Sequence, residues 1–156
     1  MMKMLTGSAL AALALTSAGA AQDYAQSPSF GSVTLSGGFS PDPYTVQLRS
    51  GGSIDASSRL GAQGCRGFIA NAPDFRLNFT PDMLPLIISV AASEDTTLVI
   101  NGPDERWYCN DDGGEGLNPS YRFSNPQAGQ YDIWVGTYGG AAQLPATLHI
   151  SEVSSR

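Results

Sequence analysis

The sequence predicts an all-β fold, an antiparallel β-sandwich stapled by one disulfide, on three observations. After residue 22, apolar and polar residues alternate with period two rather than the helical 3.6, the mark of strands that bury one face. The chain holds 18 glycines and 10 prolines, and they punctuate that alternation at the short spacing of strands joined by turns. Cys65 and Cys109 are the only cysteines. In an oxidising compartment an isolated pair is most simply a disulfide, and closing a loop of that length stabilises a fold by about 4 kcal/mol on the chain-entropy account. A metal site would need further Cys or His ligands, and His149 is the one histidine.

The compartment is read from the N-terminus. Lys3 supplies positive charge, Ala9 to Leu15 is an apolar run, and Ala18-Gly19-Ala20 places small residues at a cleavage site. In that order these are the parts of a secretory signal peptide, predicted over residues 1–20 with cleavage after Ala20 or, as second choice, Ala21. The alternative, a core helix of a cytoplasmic protein, leaves the order of those parts unexplained. The run is shorter than the ~20 apolar residues of a membrane span. No cysteine follows it to carry a lipid, and no second apolar stretch could anchor the chain. The expected product is soluble and periplasmic or secreted.

The formal charge is −6, and Lys3 is the only charged residue of the first twenty, so its removal makes the chain one unit more negative. Every other basic residue is an arginine, and none cluster. Such a surface is unsuited to nucleic acid, and its acidity can attract cations.

Residues 21–29 read as a polar lead-in, residues 30–152 as one domain and 153–156 as a tail. The domain divides into an extension (30–64) and a core (65–152). Strands are expected at Ser32–Leu35, Tyr44–Leu48 and Ser53–Ala56, with Gly37 to Pro43 a turn whose two prolines forbid regular pairing. Residues 57–64 read as loop. In the core, Phe68–Ala70 is short, and Phe75, Leu77 and Phe79 point inward. Leu84, Leu86, Ile88 and Val90 share the inner face of the next strand, as do Leu98 and Ile100 in Thr96–Asn101. Arg106–Cys109, Tyr121–Phe123, Tyr131–Tyr138 and Ala146–Ser151 complete the set. Each sheet is expected to keep one wet face.

Residues 74–152 resemble the bacterial pre-peptidase C-terminal domain. The resemblance rests on Leu86-Ile87-Ile88-Ser89-Val90, Asp95 to Ile100, Gly102-Pro103-Asp104, Trp107-Tyr108-Cys109, Asn118-Pro119-Ser120 and Gly129 to Gly136, in that order and spacing. It implies a jelly-roll-like sandwich that accompanies secreted proteases without itself being catalytic, and that in some relatives binds calcium. Residues 30–64 resemble an extension of some exported proteobacterial relatives.

Three kinds of chemistry are open to such a chain. A hydrolytic triad needs a nucleophile, a base and an orienting group within hydrogen-bond reach. His149 alternates with the inward residues Leu148 and Ile150, so it is expected to face solvent without companions. No Gly-x-Ser-x-Gly elbow occurs, and Asp111-Asp112-Gly113-Gly114 lacks the serine of the trypsin-like stretch it superficially matches. No catalytic residue is assigned. For calcium, which takes six to eight hard oxygen ligands, Asp111, Asp112, Glu115 and Asn118 lie in one glycine-rich loop, without the EF-hand spacing. The plainer reading is an acidic turn. Finally, Trp107, Tyr121, Trp134 and Tyr138 are candidates for an aromatic binding surface; the plainer reading is that residues 30–64 pack over that face. The expectation is an exported, non-catalytic binding domain whose partner is an exported protein, a peptide or an envelope glycan. A secreted peptidase and a purely structural module are the alternatives.

Overall fold

The structure, a computed structural model, describes residues 23–62 and 64–156. The predicted signal peptide and both cleavage sites lie outside the described residues. Eleven strands and one short helix follow in chain order: β1 (Ser32–Ser36), β2 (Tyr44–Ser50), β3 (Ile54–Asp55), α1 (Ala56–Leu60), β4 (Phe68–Ile69), β5 (Phe75–Thr80), β6 (Leu86–Ala91), β7 (Thr96–Asn101), β8 (Trp107–Asn110), β9 (Ser120–Phe123), β10 (Gly129–Thr137) and β11 (Leu144–Ser151).

The strands form because the period-two pattern has a face to bury. In β5, Phe75, Leu77 and Phe79 are buried while Arg76 and Asn78 stay partly exposed. Two sheets result. The four-stranded sheet runs β2-β11-β6-β9. In the seven-stranded sheet, β10 is the hub: β5 then β1 lie on one edge, β7 then β8 on the other, and β4 and β3 continue past the end of β5. The sheets enclose one core, with Leu77, Ile100 and Ile133 from one meeting Ile88, Leu148 and Ile150 from the other. This is the expected β-sandwich, and the expected Cys65–Cys109 disulfide is present. Its ladders are antiparallel except for β1 and β5, which run parallel.

Several local expectations are corrected. The strand expected from Leu84 starts at Leu86, because Pro85 has no N–H to give a ladder; Leu84 is 47% exposed. Within the expected 57–64 loop lies most of α1. Asp55 caps it, accepting the Ser57 N–H at 2.9 Å, and Gly61 ends it in the left-handed conformation. Five helical residues are too few to show a period.

Each sheet is only partly wet on its outer side: Thr45, Gln47 and Arg49 of β2 stay exposed, while other stretches are covered. Over the outer side of the seven-stranded sheet, Ala56, Cys65, Ile69, Val99 and Trp134 form a second buried cluster. The disulfide clamps that cover, joining Cys65 to Cys109 of β8. Beside it, Arg76 donates to Asp132 at 2.7 Å and to the carbonyls of Tyr24 and Gln26, which binds the described part of the lead-in. On the other sheet the tail folds back, and the Arg156 N–H donates to Ser89 Oγ at 3.0 Å. Ser89, on the outer side of β6, is fully buried.

The hub strand needs a special device. On one edge β10 pairs with β5 as far as Ile133 and with β4 only at Thr137, leaving the Val135 peptide between them. Asp74, just before β5, donates its N–H to the Ile133 carbonyl at 2.8 Å. Its Oδ2 accepts the Val135 N–H at 2.7 Å. Gly51 N–H donates to the Val135 carbonyl at 2.7 Å. A carboxylate thus stands in for a missing strand. Asp74 is 2% exposed, and burial pushes its pKa up to about 7 despite the Val135 hydrogen bond.

Two outcomes follow. Asp74→Ala leaves the Val135 N–H buried without a partner and is expected to cost about 1–3 kcal/mol in a urea melt. The Asp74 pKa is higher folded than unfolded, so the folded state holds the extra proton between roughly pH 4 and pH 7, and stability falls as pH rises through that window. Asp74→Asn is expected to flatten this fall; an unchanged pH profile of the melting temperature would remove Asp74 as its source.

Candidate functional site

The four aromatic candidates do not share a surface. Trp134 is fully buried in the second cluster, under the α1 segment, with its Nε1 lacking a hydrogen-bond partner. Trp107 is half-buried and packs against it at a tilt, ring centroids 5.4 Å apart. Tyr121 lies across the sandwich core against Tyr108 and Phe123, and Phe123 in turn meets Tyr131. Tyr138 alone is exposed, at 46%. The exposed aromatic platform is therefore corrected: extension residues cover Trp134, as the plainer reading had it.

The calcium set is also rearranged. Asp111 and Asp112 meet Asp95, from the β6–β7 connection, so that carboxylate oxygens of all three lie within 4.8 Å of one another. Asp95 was not singled out in the sequence because it is remote along the chain. Glu115 and Asn118 are not in this group; they line a neighbouring cleft of about 390 Å³ with Asp95 and Arg156. Asn118 is committed to the fold, accepting from Thr96 Oγ1 at 2.7 Å and donating to the Ala92 carbonyl at 2.9 Å. Burial, then the charge of Asp112, raises the pKa of Asp95. The same two effects raise that of Asp111, against the pull of Arg66 3.7 Å away. Three carboxylates are a hard, oxygen-only donor set, well short of the six to eight ligands calcium takes.

His149 lies on the outer side of β11, as its alternation requires, but it is half-buried rather than open to solvent, and burial and the charge of Arg156 lower its pKa. Its cross-strand neighbour is Ser89. This is not an activated pair. His149 Nδ1 is buried without a hydrogen-bond partner, and the buried Ser89 hydroxyl is held by the tail. A base needs an orienting group and a reachable nucleophile.

What stands out on the surface is the loop whose Leu84 was expected to open the next strand. Met83 is 92% exposed and Leu84 47%, side by side between Pro81 and Pro85 in the connection from β5 to β6. The strand ladders place the 37–43, 102–106 and 124–128 connections at this same end of the sandwich. The signal that would have found it was Pro85, which separates Leu84 from the strand.

No protein-family model matches the chain, and no curated protein matches it. Among solved structures, the crystal structure of Aeromonas hydrophila PliG, a periplasmic lysozyme inhibitor of g-type lysozyme, is similar at 16% identity with a TM-score of 0.38, over 78% of this chain and 96% of that one. A similarity of this degree transfers no residue roles, and the functional reading rests on this chain's own residues.

Asp112→Asn is expected to stabilise the fold at pH 7 by less than about 1 kcal/mol, since it relieves repulsion at a partly exposed site. The gain should shrink as pH falls, because the raised pKa values of Asp95 and Asp111 let acid neutralise the charges that repel Asp112. Replacing both cysteines by alanine is expected to cost up to about 4 kcal/mol and to open Trp134 to acrylamide quenching. Full protection of Trp134 in that variant would show that packing alone holds the α1 segment in place.

Proposed function

We propose that the chain is an exported, non-catalytic β-sandwich that acts by binding another protein through its loops. One observation carries the choice of partner class: Trp134 is buried while Met83 and Leu84 are exposed. A glycan-binding sheet needs an open aromatic face for sugar rings to stack on, and the cover over Trp134 removes the best candidate for it. Contiguous apolar side chains raised on a loop suit a pocket in another protein.

Other features support the reading. The predicted signal peptide and the disulfide agree on an oxidising compartment. The resemblance of residues 74–152 to pre-peptidase C-terminal domains points to an accessory rather than catalytic role. His149 lacks the partners that would make it a base, which disfavours the peptidase alternative.

The test immobilises the purified chain and offers it exported proteins of the source organism and, separately, soluble peptidoglycan fragments. Retention of a protein and not of glycan is expected, together with no turnover of a fluorogenic casein substrate. Casein turnover abolished by His149→Ala would establish the peptidase reading instead, and retention of glycan alone would overturn the choice of partner.

A further inference from the structure

We propose that the end of the sandwich carrying Met83 is a preformed docking surface for a basic exported protein, with Met83 and Leu84 entering an apolar pocket on that partner and an acidic rim meeting its cationic surround. The inference rests on the binding role proposed above and names the surface and the partner's chemistry.

The projection is unlike an ordinary exposed side chain. Single apolar residues are common on surfaces, but here two adjacent ones share a loop tip, and one is almost wholly in water. The loop is restrained. Pro81 and Pro85 each fix a backbone angle. The Gly37 N–H donates to the Thr80 carbonyl at 2.9 Å. A Cβ at residue 37 would fall 2.4 Å from the Asp82 Cβ, so only glycine lets the two loops seat this closely. The adjoining 37–43 loop is tied in turn to the end of β11. Glu152 Oε2 accepts the Gly38 N–H at 2.7 Å, and Asp42 Oδ2 accepts the Glu152 N–H at 3.0 Å. A surface already ordered loses little entropy when a partner arrives.

Charge selects the partner. The loops at this end carry Asp42, Asp82, Asp104 and Glu105 against a single cation, Arg106. Asp42, Asp82 and Glu105 are exposed. Asp104 is engaged by the Tyr108 hydroxyl at 2.6 Å and lies 3.8 Å from Arg106. Complementary charge speeds encounter and like charge opposes it. A second copy of this chain would bring its own carboxylates against these, so the surface fits a basic protein rather than itself.

The test uses the mature chain, Met83→Ser/Leu84→Ser, Asp82→Asn/Glu105→Gln, and Tyr138→Ala as a control at the opposite end. The probes are exported proteins of the source organism, split at pH 7 into a fraction held by a cation exchanger and one that is not. Wild type and the Tyr138 variant should retain a protein from the basic fraction. The Met83/Leu84 variant should bind it at least about tenfold more weakly. The Asp82/Glu105 variant should slow association several-fold and flatten its salt dependence. Thermal melts confirm folding, and Met83→Glu alone serves if the double variant melts early. Equal retention by wild type and the Met83/Leu84 variant would overturn the surface while leaving a binding role standing. A partner found only in the unbound fraction, or self-association in sedimentation, would overturn the partner's chemistry. Retention of no protein by wild type would defeat the binding role itself.

Discussion

The arrangement turns on how β10 keeps its backbone paired. A central strand buried on both sides has no water to satisfy a stray N–H or C=O, and an unpaired group there costs as much as a lost hydrogen bond. β10 meets β5 and β4 in succession along one edge, and those strands leave the Val135 peptide uncovered between them. The Asp74 carboxyl and the Gly51 N–H close that gap. Because β10 also carries Trp134 outward and Ile133 inward, the same three residues hold the main core and the second cluster in register.

From that hub the sandwich is built outward in unequal layers. The inner layer is the core between the sheets. The outer layers are partial covers: α1 and the disulfide on one side, the tail around Ser89 on the other. Each cover removes a surface that a sheet would ordinarily offer to a ligand. Besides the polar outer side of β2, what stands open for contact is the set of loops at the two ends, one with three crowded carboxylates and the other with an apolar tip.

Much of this was legible in the sequence. Period-two alternation located the strands because each buries one face, and Thr96–Asn101 was placed residue for residue. The Cys65–Cys109 pairing followed from having two cysteines and no other soft ligand. The misses have physical causes. Leu84 continued an alternation that Pro85 had already ended. Asp95 joined Asp111 and Asp112 through a loop that no local pattern links to theirs. His149 was placed on the correct side of β11, but nothing in the sequence of the tail marks that Arg156 returns to that side of the sheet. Trp134 was placed on the outer side of its strand, yet whether anything lies over it depends on a five-residue helix too short to leave a periodic trace.

The disulfide has one more consequence, for survival among proteases. The segment it closes, from Cys65 to Cys109, spans 44 positions and includes the 81–85 loop, whose Met83 is the most exposed of the large apolar side chains described. A projecting loop is where a protease first finds extended backbone. A cut there would open the polypeptide without releasing a fragment, since the Cys65–Cys109 bond keeps the two pieces covalently joined while the sheets hold them in place. The loop with the most exposed large apolar side chain is also one the protein can have nicked and still remain one piece.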